Sequence, residues 1–272
     1  MSERGDDELL ALAVDAARAA GALLLERLQR PATGVERKSS STDMVSDADR
    51  DAERLIRSMI AGARPGDGLL GEEGDDIEGS SGLRWVVDPL DGTTNFLYGL
   101  PIWSVSVACE DASGAVVGVV FDPSRDELFA AARGRGTTLN ARPVHTSQGG
   151  DLAPALIGTG FSYSAACRGR QARVLAELLP EVRDVRRGGS AALDLAWVAC
   201  GRLDGYYETG TRHWDRAAGT LLVREAGGVV TPLDDGGGHG DGALAAGRTL
   251  HPRLAALVES SFRHLTPRDQ LH

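Results

Sequence analysis

The sequence predicts a mixed fold, α+β in its first half and α/β in its second. Three observations predict it. Two amino-terminal stretches carry apolar residues at helical spacing, and residues 69 to 134 read as strands joined by tight turns. Past about residue 146, strand-like and helix-like segments alternate. The 272 residues, 42% hydrophobic and 25% charged, suffice to bury a core in one large unit or two moderate ones. The change of pattern divides the chain into halves 1–145 and 146–272, with no linker between them.

Leu9, Leu10, Leu12, Ala13, Ala16, Ala17, Ala20, Leu23, Leu24 and Leu28 stripe a first helix over 7–28. A polar loop over 31–42 follows, and a second helix runs from Ser46 to Ala61 with Ala48, Ala52, Leu55, Ile56, Met59 and Ile60 on one face. Arg64-Pro65-Gly66-Asp67-Gly68 breaks it. Leu69-Leu70-Gly71 is a short strand running into Glu72-Glu73. Val86 and Val87 suit a buried strand that Pro89 ends, because proline supplies no amide to a ladder. Val105–Cys109 and Ala115–Phe121 pair across the turn Asp111–Gly114, and Leu128–Ala131 continues the meander to Gly134-Arg135-Gly136. The second half reads as strand 156–160, helix 171–179, strand 182–185, helix 191–199, strand 203–208, helix 215–226 and strand 229–231. A Gly-rich loop over 234–242 and a last helix over 252–262 complete it.

Charge narrows the function. Lys and Arg number 29 against 39 for Asp and Glu, a formal charge of −10. An acidic chain is a poor nucleic-acid binder, which needs a basic face to displace counterions, but it can collect divalent cations. Cys109, Cys167 and Cys200 match neither a zinc spacing nor a disulfide framework, so reduced thiols are expected. The acidic amino terminus lacks a signal-peptide pattern, and no apolar run is long enough for a bilayer. The expectation is a soluble, cytoplasmic protein with no membrane partner.

The chemistry concentrates at 83–96, where an apolar run ends in Asp88 and Asp91, followed at once by Gly92, Thr93 and Thr94. Asp91-Gly92-Thr93-Thr94 has the look of a helix mouth, where free amides attract anions. Carboxylates for hard cations therefore adjoin a place for a phosphate, as metal-assisted phosphate ester hydrolysis requires. Alone, an Asp-Gly pair after a strand is a turn. Four further segments add weight. Glu72-Glu73 ends a second strand, Asp215 stands as N-cap of a helix, and Tyr206-Tyr207-Glu208 ends a strand in a carboxylate. Gly188-Gly189-Ser190 opens a helix that begins Ala191-Ala192-Leu193.

Asp88-Pro-Leu-Asp91-Gly-Thr-Thr-Asn95-Phe96, Gly71-Glu72-Glu73 and Trp214-Asp215-x-Ala-x-Gly219 resemble the inositol monophosphatase family of Mg²⁺-dependent, lithium-sensitive sugar phosphatases, and within it the bacterial inositol-1-monophosphatases. Lys38-Ser-Ser-x-x-Asp43-x-Val45-Ser46-x-x-Asp49, Gly189–Leu193 and Asp204-x-Tyr206-Tyr207-Glu208 extend the match over roughly 10–262. The resemblance implies an αβαβα sandwich of two mixed sheets, as in fructose-1,6-bisphosphatase. It implies that Glu72, Asp88 and the Leu90 carbonyl bind a first Mg²⁺, and that Asp88, Asp91 and Asp215 bind a second. A weaker third ion would involve Glu72 with Lys38 and Asp43 nearby, and Mn²⁺ would be a substitute metal. Thr93 with Glu72 would orient and deprotonate the attacking water, making Glu72, Thr93 and Asp91 the catalytic set. Gly92, Thr93 and Thr94 amides would hold phosphate oxygens, while Asp91, Ala191, Glu208 and Asp215 would contact polyol hydroxyls. A homodimer is likewise implied.

Thr137 stands where the family usually has alanine, Ala141 where it has glycine, and Leu90 where isoleucine is commoner. None of these removes an implied metal carboxylate. The leading expectation is hydrolysis of inositol 1-phosphate. The alternatives are the same chemistry on histidinol phosphate, fructose 1,6-bisphosphate or a nucleotide 3′-phosphate, or a regulatory protein-binding role with catalysis secondary. Thr94, where histidinol-phosphatase relatives often carry lysine, favours the first.

Overall fold

Helix α1 (Glu3–Leu28) buries Leu9, Ala13, Ala16, Ala17, Ala20 and Leu24, a stripe of mostly small residues that lets the helix lie close to a sheet. The structure is a computed structural model describing residues 3–29, 34–37, 44–234 and 242–264. A two-stranded ribbon, β1 (Glu36–Arg37) and β2 (Met44–Val45), leads to α2 (Asp47–Ala63). Ser46 caps α2, its Oγ accepting the Ala48 amide at 3.2 Å, while Asp49 reaches back to accept the Ser46 amide at 2.9 Å.

The first sheet has seven strands, β3 (Gly68–Gly71), β4 (Arg84–Asp91), β5 (Ser104–Asp111), β6 (Gly114–Asp122), β7 (Glu127–Ala132), β8 (Thr137–Leu139) and β9 (Arg142–Val144), in that spatial order. It is antiparallel except for the parallel pair β3–β4. The second sheet, ordered β11-β10-β12-β14-β13, is mixed and comprises β10 (Leu156–Thr159), β11 (Asp184–Arg186), β12 (Gly205–Glu208), β13 (Gly228–Leu233) and β14 (Gly242–Gly247). Short helix α3 (Thr93–Leu97) follows β4, and α4 (Ala165–Leu178), α5 (Ala191–Ala199), α6 (His213–Glu225) and α7 (His251–His264) complete the fold.

Side-chain alternation builds the layers. Trp85 and Val87 of β4 pack towards α1 and α2, whereas Val86 between them packs with α5 and α6. In the second sheet Tyr206 and Ala245 face α5 and α6, while Tyr207, Leu244 and Ala246 pack against α4 and α7. The order is therefore α1/α2, first sheet, α5/α6, second sheet, α4/α7, the αβαβα sandwich that the sequence led us to expect. Helix α5 is apolar nearly all round because it is covered by a sheet on two sides, whereas α6 buries only the stretch from Ala217 to Val223 and keeps charged residues at both ends. The two helices cross closely at Gly219, where a Cβ would stand 2.6 Å from Leu195 Cβ. Gly219→Ala should lower stability by about 1–3 kcal/mol in urea denaturation, through forced separation of the two helices.

Several features depart from the sequence reading, among them α4, which starts at Ala165 and not at 171. Strand β4 does not end at Pro89 but continues to Asp91 across a break in register, with Asp88 opposite Ser106 and Asp91 opposite Ser104. Pro89 is tolerated because it falls in the bulge, where no ladder amide is required. Strands β8 and β9 extend the meander, and β14, composed of Gly, Ala and Leu, forms between β12 and β13 despite its weak strand propensity. The Gly-rich segment lies outside the described residues over 235–241.

Candidate active site

The bulge in β4 decides where its carboxylates point. Residues three apart in a regular strand face opposite ways, but the extra residue returns Asp91 to the face of Asp88, opposite Ser104 and Ser106. That face looks into the middle layer, where Ser104 Oγ lies 3.2 Å from Ser190 Oγ and Ser106 Oγ 3.4 Å from the Trp214 carbonyl. Ser190 caps α5, accepting the Leu193 amide at 3.3 Å, and Trp214 lies in the first turn of α6. The amino-terminal ends of both helices thus meet the carboxyl end of β4, adding positive potential to the site.

Glu72, Asp88, Leu90, Asp91, Gly92, Thr93, Ala191, Glu208 and Asp215 line one cavity of about 550 Å³. Thr94 is absent from the lining, and its hydroxyl is buried with no hydrogen-bond partner. Lys38 and Asp43 lie outside the described residues.

Backbone and hydroxyl donors hold one oxygen of each aspartate, and Asp88 also shares a side-chain hydrogen bond with Glu72. Asp88 Oδ1 accepts the Leu90 amide at 3.1 Å, and Asp91 Oδ2 accepts from Ser190 Oγ at 2.6 Å and the Ala192 amide at 2.7 Å. Asp215 is the third residue of α6 rather than its N-cap; the helix starts earlier, and Asp215 Oδ2 reaches back to accept the Arg212 amide at 2.6 Å. A carboxylate has a second oxygen, so anchoring and cation binding are compatible. Among the described residues no three acidic, His or Cys side chains already converge as a ligand set.

Electrostatics nevertheless fit a cation. Burial, then repulsion from Glu72, Asp91 and Asp215, pushes Asp88 well above the ordinary carboxylate range. Asp215 is raised by burial and by Asp91 and Glu72. Burial lifts Asp91 from 3.8 to about 6 against the pull of Ser190 and Ala192, with Glu72 adding to the rise. Mutual repulsion among buried acids is what a divalent ion relieves. A pH test follows. Between 3.8 and about 6 the folded, chelated chain keeps a proton on Asp91 that the unfolded chain has released. Stability of the chelated protein should therefore fall as pH rises through that window, and Mg²⁺ should restore it near neutrality. Melting scans with EDTA and with Mg²⁺ check this.

Thr93 Oγ1 lies 2.8 Å from Asp49 Oδ1 and 3.1 Å from the Leu90 carbonyl oxygen. Asp49, 1% exposed, reaches the site through Thr93; in the sequence it has a place in a motif but no role. Its only local signal is the Ser46-x-x-Asp49 capping box, which explains it without any chemistry. Sequence reasoning also missed Arg187, Arg212 and the segment 160–164, all of which line the cavity. Across the cavity Glu208 is raised to about 7 by burial, moderated by Tyr206 and Arg187, and its Oε2 accepts from Tyr206 Oη at 2.8 Å.

A family model described as the inositol monophosphatase family matches residues 6–263. The chain belongs to that family. An inositol-1-monophosphatase of Rhizobium meliloti is 51% identical over 199 residues, covering 72% of this chain and 74% of the relative. A protein of Escherichia coli strain K12 named Nus factor SuhB is 41% identical over 260 residues, covering 94% of this chain and 96% of its own. The crystal structure of the extragenic suppressor protein suhB from Bartonella henselae superposes with a TM-score of 0.86 at 40% identity, over 93% of this chain and 98% of that one. Membership of the inositol monophosphatase family makes the chain a phosphatase and agrees with its two mixed sheets. No helix among the described residues is long and apolar enough to cross a membrane.

Proposed function

We propose that the chain is a Mg²⁺-dependent phosphomonoesterase that releases inositol and phosphate from inositol 1-phosphate. The observation carrying this reading is the meeting of Glu72, Asp88, Asp91 and Asp215, from three separate stretches of chain, in the cavity that also holds Thr93. Glu72, Asp88 and the Leu90 carbonyl would hold one ion, and Asp88, Asp91 and Asp215 a second; Glu72 would share a weaker third with the Lys38–Asp43 segment. Bound Mg²⁺, or Mn²⁺ in its place, supplies positive charge to the phosphate and to the attacking water.

The protein groups do the rest. Asp49 accepts the Thr93 hydroxyl hydrogen bond, so that as Thr93 Oγ1 takes a proton from water its own proton would pass to the Asp49 carboxylate; Glu72 would share in orienting that water. Gly92 and Thr93 line the cavity where their amides would meet phosphate oxygens. Thr94 would contribute through its amide alone. Asp91, Glu208, Asp215 and the backbone at Ala191 would face the polyol, whose hydroxyls are donors suited to carboxylates.

Phosphate release from inositol 1-phosphate, histidinol phosphate, fructose 1,6-bisphosphate and adenosine 3′,5′-bisphosphate, with Mg²⁺ and with EDTA, tests the reading. The highest kcat/KM should fall on inositol 1-phosphate and be inhibited by Li⁺; preference for another ester overturns the substrate while leaving the mechanism. A homodimer in the cytoplasm, free of nucleic acid, completes the reading.

A second reading is a regulatory protein-binding role. It is favoured by relatives named Nus factor SuhB in Escherichia coli and Xylella fastidiosa, 41% and 42% identical. A hydrolysis-dead Asp91→Asn protein that still complements loss of the wild-type chain would support it.

A further inference from the structure

We propose that Glu53, which lies outside the cavity on α2, is a positioning residue that holds Glu72 in the orientation required for cation binding. The inference rests on the assignment of Glu72 as a metal ligand and goes beyond it.

Glu53 is an acid 2% exposed, and burying a carboxylate is unfavourable unless its oxygens are satisfied. Both are. Oε2 accepts the Glu73 amide at 2.7 Å, and Oε1 accepts the Gly74 amide at 2.8 Å and Arg57 Nε at 2.6 Å. Arg57 in turn donates to the Asp75 carbonyl at 2.9 Å, so helix α2 grips three consecutive residues of the loop directly after Glu72. The Glu73 amide belongs to the peptide unit that begins at the Glu72 carbonyl carbon. Holding it limits rotation about the Glu72 Cα–C bond, and so sets the direction in which the Glu72 side chain leaves the backbone.

The motif Gly71-Glu72-Glu73-Gly74 records the same contact. A Cβ at Gly71 would stand 2.5 Å from Glu53 Oε1 and 2.8 Å from Arg57 Nη2. At Gly74 it would stand 2.9 Å from Glu53 Oε1 and from the Arg57 guanidinium. Neither glycine has positive φ, so they are required by this approach and not by backbone conformation. Asp49 and Glu53 are one helical turn apart, and they reach Thr93 and the Glu72 loop respectively. One rigid helix thereby sets the spacing between the hydroxyl that meets water and a carboxylate that meets the cation.

A purely structural anchor would affect melting but not metal affinity, and this separates the two roles. Glu53→Gln keeps the shape but offers one acceptor oxygen for two amides. It should raise the Mg²⁺ midpoint by about 10–100-fold, as loss of a group supporting a ligand does, with kcat at saturating Mg²⁺ much less affected. The midpoint is read both from activity and, without substrate, from tryptophan fluorescence, since Trp214 lines the cavity. Gly74→Ala, which pushes a methyl against the same pair, should shift the midpoint in the same direction and carries the test if Glu53→Gln does not fold. Gly62→Ala, in α2 with nothing within 4 Å, should leave it unchanged. Wild-type protein must show a saturable Mg²⁺ response that Glu72→Gln weakens; without it, the assignment of Glu72 fails and this inference with it. If that response is present but Glu53→Gln and Gly74→Ala keep the wild-type midpoint and only lower the melting temperature, Glu53 is an anchor and the proposal is overturned.

Discussion

Asp91→Asn should reduce Mg²⁺-dependent phosphate release by on the order of 10³-fold or more while the chelated protein melts no lower than wild type. The asparagine carbonyl can still accept from Ser190 Oγ and the Ala192 amide, so the contact between β4 and α5 survives. Its amide nitrogen then replaces the oxygen available to a cation, and a donor cannot ligate one. The substitution also removes a charge from a crowded group of acids, so melting without metal should hold or rise. Single-turnover phosphate release and calorimetry with EDTA measure both effects. Substantial turnover in the variant would refute the assignment of Asp91 to a cation.

Thr93→Val should cost about 10²–10⁴-fold in kcat, the usual worth of a positioned proton acceptor, with little change in KM. Valine has the shape of threonine but no hydroxyl to stand between Asp49 and a water. Thr93→Ser should recover most of the rate, because Oγ can reach the same partner 2.8 Å away. The pair separates proton transfer from packing: equal losses in both variants would mean that the methyl group of Thr93, not its oxygen, matters. Asp49→Asn should behave like Thr93→Val, since its amide would donate to the Thr93 oxygen and consume the lone pair meant for water.

The first helix and the buried strand β4 were legible because the stripe on α1 and the apolar run before Asp88 are strong local signals, while the layer order came from the family resemblance. The small-residue strand β14 was not legible. Gly242–Gly247 has little intrinsic strand preference, and it is its position between β12 and β13 that makes it a strand. The carboxylates Glu72, Asp88 and Asp91 stood out because each follows an apolar run. Asp215 did so by opening a helix, though its actual place is inside the first turn. Asp49 and Glu53 gave no comparable signal. They sit within an amphipathic helix, where an acid reads as a cap or a solvated charge, and only the tertiary approach of α2 to the ends of β3 and β4 gives them partners.

The bulge at Pro89 has a consequence for how tolerant the site is to sequence change. Pro89 and Leu90 have no register partner in β5, Leu90 lines the cavity, and its carbonyl accepts the Thr93 hydroxyl at 3.1 Å. Meanwhile the Leu90 side chain is 1% exposed in the core beneath α1 and α2. In the proposed reading, position 90 answers to two unconnected constraints: its side chain to hydrocarbon packing, and its cation contact to an atom that every amino acid possesses. Exchange among aliphatic residues there should change the first without touching the second, whereas the proposed roles of Asp88 and Asp91 rest on their side chains and should not survive such exchange.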